Sequence, residues 1–322
     1  MNTAGFKFDY LEADFHKLLG DAHLAVVEHK SQRRPNVTAH NLTLYHYTSV
    51  ANFIKIIETQ QLWSTAVASM NDKSEFLHSL TYLRNAITAR LSSPTTVDFR
   101  CLLDVLLSEI KDTKTAAGSG QFITCFSEER DDLSQWRAYG GDQGGIALQF
   151  SFSNLVDHCK AAPVLLLPVV YRKSVKANIM AAVIARLETV FTKGLTATPG
   201  SSNFTTHNRA RFCEDFAKAW VASGIWALGA MYKHQGFRNE HEWRLAYSLN
   251  SAGAKQLVFN QRATITTTHW SCSLPAFSGI VVGPTNDRNL MKYVVGDLLA
   301  KKGYPSNSIP IRYSTTPFRP SR

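Results

Sequence analysis

The sequence is poor in cysteine and in charged residues, and it lacks any long apolar run. It has five cysteines in 322 residues, and no two of them are spaced as CxxC. An odd number without that spacing argues against a disulfide framework and against a zinc site, and it favours a reducing compartment. No apolar stretch approaches the roughly 20 residues of a membrane-spanning helix, and the first residues lack the basic and then apolar order of a signal peptide. We therefore expect a cytoplasmic protein without a membrane partner and without a bound metal.

The charges that are present are unbalanced. Charged residues make up 19% of the chain and hydrophobic residues 44%, which is typical of globular rather than disordered or coiled-coil proteins. The 35 Lys and Arg outnumber the 25 Asp and Glu and give a net charge of +10. Excess positive charge attracts polyanions. On charge alone, contact with nucleic acid and an ordinary basic enzyme stay equally open.

Strand-like and helical stretches follow one another without a regular β-α-β alternation, which favours an α+β fold. In the first residues, Phe8, Leu11, Phe15 and Leu18 recur at helical spacing. We expect a helical N-terminal extension over residues 1–40, followed by one domain over residues 41–322. Within this domain, Ser49 is expected to cap a helix.

Four segments place polar or aromatic residues beside expected strands. Strand ends and adjoining loops are where binding and catalytic sites are commonly built. No P-loop, HExxH, GxSxG or EF-hand pattern accompanies these segments. They are LYHYTS (44–49), ITCFSEE (123–129), QWRAYGGDQGGIALQF (135–150) and FRNEHEWRLAY (237–247).

Carboxylates two residues apart stand out in the last segment. On a strand, the side chains of Glu240 and Glu242 would face the same side. Such a pair suits a site in which one carboxylate stabilises a developing cation and the other acts as a base. A surface strand on which both glutamates pair with Arg238 and Arg244 explains the spacing as well.

Two further features of these segments have two explanations each. His46 lies in an aromatic strand and is either a core histidine bonded to backbone or a donor and acceptor for a ligand hydroxyl. The glycine pairs at 140–141 and 144–145 permit either a simple tight turn or the close approach of backbone to a ligand.

The four segments in this order resemble a widespread bacterial family of unknown function over residues 42–314. The pattern LYHYTS, CFSE, WRAYG…GGIALQF and EHEWRL carries the resemblance. That family is similar to a distant branch of the ADP-ribosyltransferase fold. The resemblance implies a mixed β-sheet core with flanking helices, NAD⁺ as a substrate, and no metal.

In that fold, a first strand carries His or Arg, a middle strand carries Ser or Tyr, and a late strand carries Glu. These positions match His46, Ser127 and Glu242, with Glu240 completing a Glu-x-Glu element and Tyr139 as a second candidate for the middle position. The resemblance thus implies Glu242, Glu240 and His46 as catalytic residues. The residues it implies for NAD⁺ binding are His46, Tyr47, Thr48, Phe126, Ser127 and Tyr139.

The roles follow from the chemistry of cleaving the nicotinamide–ribose bond, which develops an oxocarbenium ion. Glu242 would stabilise that charge, and Glu240 would orient or deprotonate the acceptor. His46 would hold a ribose or the edge of the nicotinamide. We expect NAD⁺ in a cleft between the strands of His46 and Glu242, with both side chains on one side. Side chains on opposite sides of the fold would contradict the enzyme interpretation. We also expect Glu242→Gln to change folding little, because glutamine keeps the packing volume.

The implied activity is that of an ADP-ribosyltransferase acting as a bacterial toxin or phage-defence effector. Nucleic acid, RNA or DNA, is the favoured acceptor and protein the next, and an antitoxin or regulatory protein is a further candidate partner. An RNA 2′-phosphotransferase-like enzyme and a non-catalytic nucleic-acid- or protein-binding module are the alternatives. The basic residues expected to contact nucleic acid are Arg137, Arg172, Lys173, Lys233 and Arg238.

Overall fold

Ten strands and eight α-helices follow one another irregularly in the part of the chain that the computed structural model describes. The predicted α+β class is confirmed, since the strands form an open mixed sheet beside several helices. Of these described helices, none is both long and apolar enough to cross a membrane. The structure describes residues 6, 8, 10–11, 17, 42–67, 74–112, 121–141, 144–161, 164–248, 257–262, 265–285, 287–305 and 308–317.

The elements have the following bounds. Two short 3-10 helices, Ser201–Asn203 and Gln235–Glu240, accompany the α-helices. In chain order the strands and α-helices are β1 (Thr43–Ser49), α1 (Val50–Thr59), β2 (Gln61–Ala66), α2 (Ser74–Leu91), α3 (Val97–Asp112), β3 (Gln121–Ser127), α4 (Leu133–Tyr139), β4 (Gly145–Ser151), α5 (Phe152–Ala161), β5 (Val164–Pro168), α6 (Lys173–Ala197), α7 (Thr206–Met231), β6 (Glu242–Ser248), β7 (Leu257–Arg262), β8 (Ile265–Ser273), β9 (Gly279–Val282), α8 (Arg288–Lys301) and β10 (Ile311–Tyr313).

The chain divides into two compact units. One, the helical unit, comprises Met1–Glu28, Asn71–Ser119 and Val170–Gln235, and the other, the sheet unit, comprises the remaining residues. The helical unit contains α2, α3, α6 and α7, whereas the sheet unit contains every described strand. The predicted organisation, an extension over 1–40 and one domain over 41–322, stays a prediction. Phe15 and Leu18 lie outside the described residues.

The sheet unit has β3 at its centre. The strand order is β10-β9-β4-β1-β3-β2-β8-β7, and β6 and β5 extend the sheet from the other edge of β3. Only the β9–β10 pair is parallel among the described strands. One edge of β3 pairs with β6 over its whole length, whereas the opposite edge pairs with β2 near Ile123 and with β1 at Ser127. This branching at β3 brings β1 and β6 to the same end of one strand.

Helix α1 shows how the local sequence fixes an element next to β1. The Ser49 hydroxyl accepts a hydrogen bond from the Asn52 backbone N–H at 3.2 Å, so the predicted N-cap is confirmed. Phe53, Ile56 and Ile57 form the buried face of the helix. The helix ends at Gln60, whose backbone is left-handed.

The helical unit is built on aromatic side chains. Phe212 in α7 is fully buried, and its ring lies 4.9 Å from that of Phe6, with edge-to-face geometry. A second buried cluster surrounds Lys176 in α6, whose Nζ donates to the Lys233 carbonyl at 2.6 Å and lies 5.6 Å from the Tyr232 ring centre. A buried ammonium group of this kind is stabilised by the carbonyl and by the aromatic ring.

Helix α4 packs on the β-sheet through Trp136. Nearby glycines leave space for the Trp136 ring and for the turn after the helix. The Trp136 side chain is 1% exposed and meets the Tyr47 ring edge-to-face at 4.5 Å. A Cβ on Gly145 would lie 2.6 Å from the Gly140 Cα, and one on Gly283 would lie 2.8 Å from the Trp136 ring. Close packing within the protein, which is neither of the two explanations given above, accounts for Gly140 and Gly145.

We expect Gly283→Ala to destabilise the protein by about 1–3 kcal/mol, because the new methyl group overlaps the buried indole ring. The midpoint and slope of urea unfolding measure this change. Gly296→Ala is the matched control: a Cβ at this position in α8 meets nothing within 4 Å, and alanine favours helix by about 0.5–1 kcal/mol over glycine. Equal effects of the two substitutions would contradict the packing argument.

Candidate functional site

Residues from three of the motif segments lie side by side on adjacent strands. Ser127 at the end of β3 has Tyr45 of β1 as its register partner on one edge and Glu242 of β6 on the other. Directly opposed residues of antiparallel strands point to the same face. Tyr45, Ser127 and Glu242 therefore form one row across the sheet, although Ser127 and Glu242 are far apart in sequence. We call this face the Glu242 face.

His46 does not share that face. Successive residues of a strand point to opposite faces, so His46, which follows Tyr45, projects to the other side of the sheet. Its ring lies 5.7 Å from that of Phe126, and Phe126 is the register partner of Trp243. The strands of His46 and Glu242 do converge, but the expectation that their side chains face the same side is wrong. The reason is the β1–β3 register, which aligns Tyr45 rather than His46 with Ser127.

The chemistry of His46 is that of a neutral imidazole. Its Nδ1 donates to the Cys125 carbonyl at 2.9 Å, which leaves Nε2 as an acceptor. Burial lowers the pKa of His46 below its ordinary value, although the hydrogen bond to Cys125 raises it. The hydrogen bond to backbone agrees with the first of the two explanations, whereas binding of a ligand hydroxyl stays a prediction.

Glu242 forms a buried ion pair with Arg244. Arg244 Nε lies 2.8 Å from one carboxylate oxygen of Glu242, and Arg244 Nη2 lies 3.2 Å from the other. The Glu242 side chain is 5% exposed and that of Arg244 is 2% exposed. Glu242 thus pairs with Arg244, as one reading of the sequence allowed, but the strand is buried and does not lie on the surface. Two-point pairing of this kind orients the carboxylate and stabilises its charged form.

Glu240 does not lie on the strand of Glu242. It ends the 3-10 helix Gln235–Glu240, and β6 begins at Glu242. Between them, His241 has a left-handed backbone with φ of 43°, which interrupts the extended conformation. The expectation that both carboxylates project from one strand to one side is therefore wrong. The Glu240 side chain is partly exposed, whereas that of Glu242 is buried.

Hydrogen bonds join the end of β3 to the turn before β6. The Ser127 hydroxyl donates to the Glu240 carbonyl at 2.7 Å and accepts from the Glu129 N–H at 3.0 Å. The Glu128 N–H donates to the His241 carbonyl at 3.2 Å, and His241 Nδ1 lies 2.8 Å from a carboxylate oxygen of Glu129. The Ser127 hydroxyl therefore positions the turn that carries Glu240.

The remaining residues expected to bind NAD⁺ differ in their accessibility. Tyr47 is buried, and its hydroxyl donates to the Glu129 carbonyl at 2.5 Å. Thr48 and Phe126 are buried as well, with Phe126 on the His46 side of the sheet. Tyr139 at the end of α4 is 45% exposed. Tyr47 thus holds the loop after β3 in place. Of the residues expected to bind NAD⁺, Tyr139 is the aromatic residue whose side chain is exposed.

The loop after β3 is fixed by Asp131. One oxygen of its carboxylate accepts from Trp136 Nε1 at 2.7 Å and from the Ser314 hydroxyl at 2.5 Å. The other accepts from the Thr315 N–H at 2.7 Å and from its hydroxyl at 3.0 Å. Burial raises the pKa of Asp131, but the hydrogen bonds from Ser314, Trp136 and Thr315 outweigh it and lower the pKa to about 2. Sequence reasoning missed this residue, because two of its partners, Ser314 and Thr315, lie 183 and 184 residues away.

The basic residues expected to contact nucleic acid are divided between the two units. Arg137 and Arg238 are exposed in the sheet unit, and Arg172 and Lys173 are exposed in the helical unit. Lys233, in the helical unit, is 8% exposed. Its side chain is therefore not part of an exposed basic surface, and that element of the prediction is wrong. Within the described residues, no group of three or more His, Cys, Asp and Glu side chains is arranged to hold a metal ion.

Comparison with known proteins gives one match. A domain of the family described as a protein of unknown function (DUF2971) is found at residues 135–245. The matched range contains the WRAYG…GGIALQF segment and EHEWRL, but neither LYHYTS nor ITCFSEE. No curated protein and no solved structure matches the chain.

We expect Asp131→Asn to lower stability at neutral pH and to lower it progressively less in acid. Above its ordinary value of 3.8 the carboxylate is charged in both states and its hydrogen bonds contribute fully; this contribution is lost as the pH falls towards the folded-state pKa of about 2. Urea unfolding of both proteins between pH 7 and pH 3 measures the difference.

Asp132→Asn is the control for this prediction. Asp132 caps α4 by accepting from the Gln135 N–H at 3.0 Å, and asparagine caps about as well as aspartate. A difference between wild type and Asp131→Asn that stays constant down to pH 3, or a larger loss for Asp132→Asn at pH 7, would contradict the role given to Asp131.

Proposed function

We propose that the protein is an NAD⁺-dependent ADP-ribosyltransferase and that its sheet unit is a distant form of the ADP-ribosyltransferase fold. The proposal rests on the resemblance of the motif segments to that fold. The observation that supports it most is the row formed by Tyr45, Ser127 and Glu242 on adjacent strands. Ser127 and Glu242, which match the middle-strand and late-strand positions of that fold, are direct register partners in this row. Toxin or phage-defence activity is the biological role we propose with it.

Glu242 is the proposed catalytic carboxylate. As nicotinamide leaves, positive charge develops on the ribose, and an ionised carboxylate fixed nearby stabilises that transition state. Arg244 donates one hydrogen bond to each carboxylate oxygen of Glu242. The guanidinium therefore holds the carboxylate in a fixed orientation.

Glu240 is proposed to act on the acceptor. Its carboxylate is partly exposed, in contrast to Glu242, and the Ser127 hydroxyl holds its backbone at 2.7 Å. An exposed carboxylate next to a buried one suits a division in which the buried group stabilises charge and the exposed group takes a proton from the acceptor. His46 has no place beside Glu242 in this proposal, because it lies on the other face of the sheet.

Nucleic acid is the acceptor we favour, with protein the next. The net charge of +10 attracts polyanions, and Arg137 and Arg238 are exposed in the same unit as Glu242. An RNA or DNA acceptor would reach Glu240 along such a basic surface. An antitoxin or regulatory protein stays a proposed partner.

A non-catalytic binding module is the second candidate, and two observations favour it. His46 and Glu242 project to opposite faces of the sheet, which is the arrangement expected to contradict an enzyme. The Glu242 carboxylate is almost inaccessible and already neutralised by Arg244, which is also how a purely structural ion pair looks. The two proposals differ in a product, because an enzyme of this type releases nicotinamide from NAD⁺ and a binding module does not.

Glu242→Gln is expected to lower kcat for nicotinamide release by about 10²–10³, with a smaller effect on NAD⁺ affinity. The expectation that this variant folds unchanged needs correction, since it leaves the Arg244 charge buried without its partner. The assay therefore includes the double variant Glu242→Gln/Arg244→Gln, which buries no lone charge. If Glu242 is catalytic, the double variant is as inactive as Glu242→Gln, although it buries no unmatched charge.

Glu240→Gln is the matched control in the same assay. It removes a neighbouring, partly exposed carboxylate, and we expect nicotinamide release to survive while transfer of labelled ADP-ribose to RNA, DNA or protein falls. Near wild-type nicotinamide release by the folded double variant would refute the catalytic role of Glu242. Absence of nicotinamide release from the wild-type protein would favour the binding module.

A further inference from the structure

Two exposed arginines flank the Asp131 hydrogen-bond cluster. Arg130 directly precedes Asp131, and Arg312 in β10 lies two residues before Ser314. The carboxylate of Asp131 bonds to Ser314 and Thr315 at 2.5 to 3.0 Å. These bonds tie the loop after β3 to the segment after β10, so that the backbones carrying the two arginines are held close to each other.

Arg312 belongs to the Glu242 face. Arg312 is the register partner of Val281, which pairs with Ala147, which in turn pairs with Tyr47. Residues in one row share a face, and Tyr47 projects to the same side as Tyr45 two residues earlier in β1. Arg312 therefore projects to the side of the sheet on which Tyr45, Ser127 and Glu242 lie.

The charges of Arg130 and Arg312 both act on the pKa of the Tyr45 hydroxyl. Burial raises the pKa of Tyr45, the charges of Arg130 and Arg312 lower it, and that of Glu129 raises it. Two positive charges act on one hydroxyl from different chain segments. The Glu129 carboxylate is close as well, but one of its oxygens lies 2.8 Å from His241 Nδ1.

Arg130 and Arg312 differ from two other arginines of the sheet unit. Arg244 pairs with Glu242, and Arg288 donates to the Ser314 carbonyl at 3.0 Å and stacks on Tyr313 at 5.7 Å. Within the described residues, neither the Arg130 nor the Arg312 side chain has a hydrogen bond or an ion pair. Two unpaired guanidinium groups held near each other repel, and an anion that accepts from both relieves that repulsion.

We propose that Arg130 and Arg312, together with the Tyr45 hydroxyl, form a binding site for the diphosphate group of a nucleotide. A planar guanidinium donates two parallel hydrogen bonds to phosphate oxygens, and two of them match a diphosphate better than a single phosphate. The nucleotide is NAD⁺ or its product ADP-ribose, and in this respect the proposal rests on the proposed function.

The position of the site suits that ligand. Tyr45 and Glu242 lie in one row with β3 between them, so their Cα atoms are about 10 Å apart at the usual strand spacing. A diphosphate at Tyr45 would therefore lie about one nucleoside away from a ribose held at Glu242. The sequence offered one signal for this site, Arg130, which follows the CFSE motif after one intervening residue.

Calorimetric titration of the full chain with ADP-ribose and with inorganic pyrophosphate tests this site. We expect Arg130→Gln and Arg312→Gln each to weaken ADP-ribose binding about tenfold to a hundredfold, the usual effect of losing hydrogen bonds to a charged group. The matched control is Lys292→Gln, an exposed residue of α8, which removes the same charge from the same unit and should change affinity by less than about twofold.

The outcomes separate this site from the proposed activity. ADP-ribose binding that depends on both arginines, in a protein that releases no nicotinamide, would support the site and refute the enzyme. Nicotinamide release with an unchanged KM for NAD⁺ in Arg130→Gln/Arg312→Gln would refute the site and support the enzyme. Binding of pyrophosphate without binding of ADP-ribose would show that the ligand is not a nucleotide. If Lys292→Gln weakens ADP-ribose binding as much as the arginine variants do, the net charge of the protein and not a local site explains the binding.

Discussion

The buried ion pair between Glu242 and Arg244 is the constraint on which the geometry of the candidate site depends. Removing two charges from water is costly, and their mutual attraction compensates only when the geometry is good. The two residues are separated by one position on β6, so both side chains reach the same face and meet at 2.8 Å and 3.2 Å. The strand must then begin at Glu242. The chain reaches that point through the left-handed His241, which turns Glu240 out of the sheet.

The rest of the site is organised around that turn. Ser127 is the register partner of Glu242, and its hydroxyl ties the Glu240 carbonyl to the loop after β3. The loop is held in turn by Tyr47 from β1 and by Asp131, which binds the segment after β10. A short run of residues at the end of β3 thus connects elements from both ends of the sheet unit. This explains why the motif segments are close in space although they are distant in sequence.

Sequence reasoning identified what local patterns determine. Ser49 as a helix cap is an example, since capping depends on neighbouring residues. Helix α5 (Phe152–Ala161) was missed although its start has a local signal, because the Ser151 hydroxyl accepts a hydrogen bond from the Asn154 N–H at 3.2 Å, as a capping serine does. The α+β class followed from the irregular order of elements, not from any single motif.

Sequence reasoning failed where the pairing of distant strands determines which side chains lie together. Whether His46 or Tyr45 shares a face with Glu242 depends on the β1–β3 register, and a shift by one residue reverses every side chain. The Asp131 cluster depends on the chain returning 183 residues later. The domain found at residues 135–245 includes Trp136 and Arg244 but not Ser127, so the matched range does not contain the whole site.

The central claim is that the Glu242–Arg244 pair is a coupled, buried unit, and a double-mutant cycle in the free energy of unfolding tests it most directly. The cycle compares wild type, Glu242→Gln, Arg244→Gln and the double variant by urea unfolding. Each single substitution leaves a lone or unmatched group buried and is expected to cost about 3–5 kcal/mol. We predict that the double variant loses less than the sum of the two by at least about 1 kcal/mol. Losses that add within about 0.5 kcal/mol would contradict the account, because independent residues behave in that way.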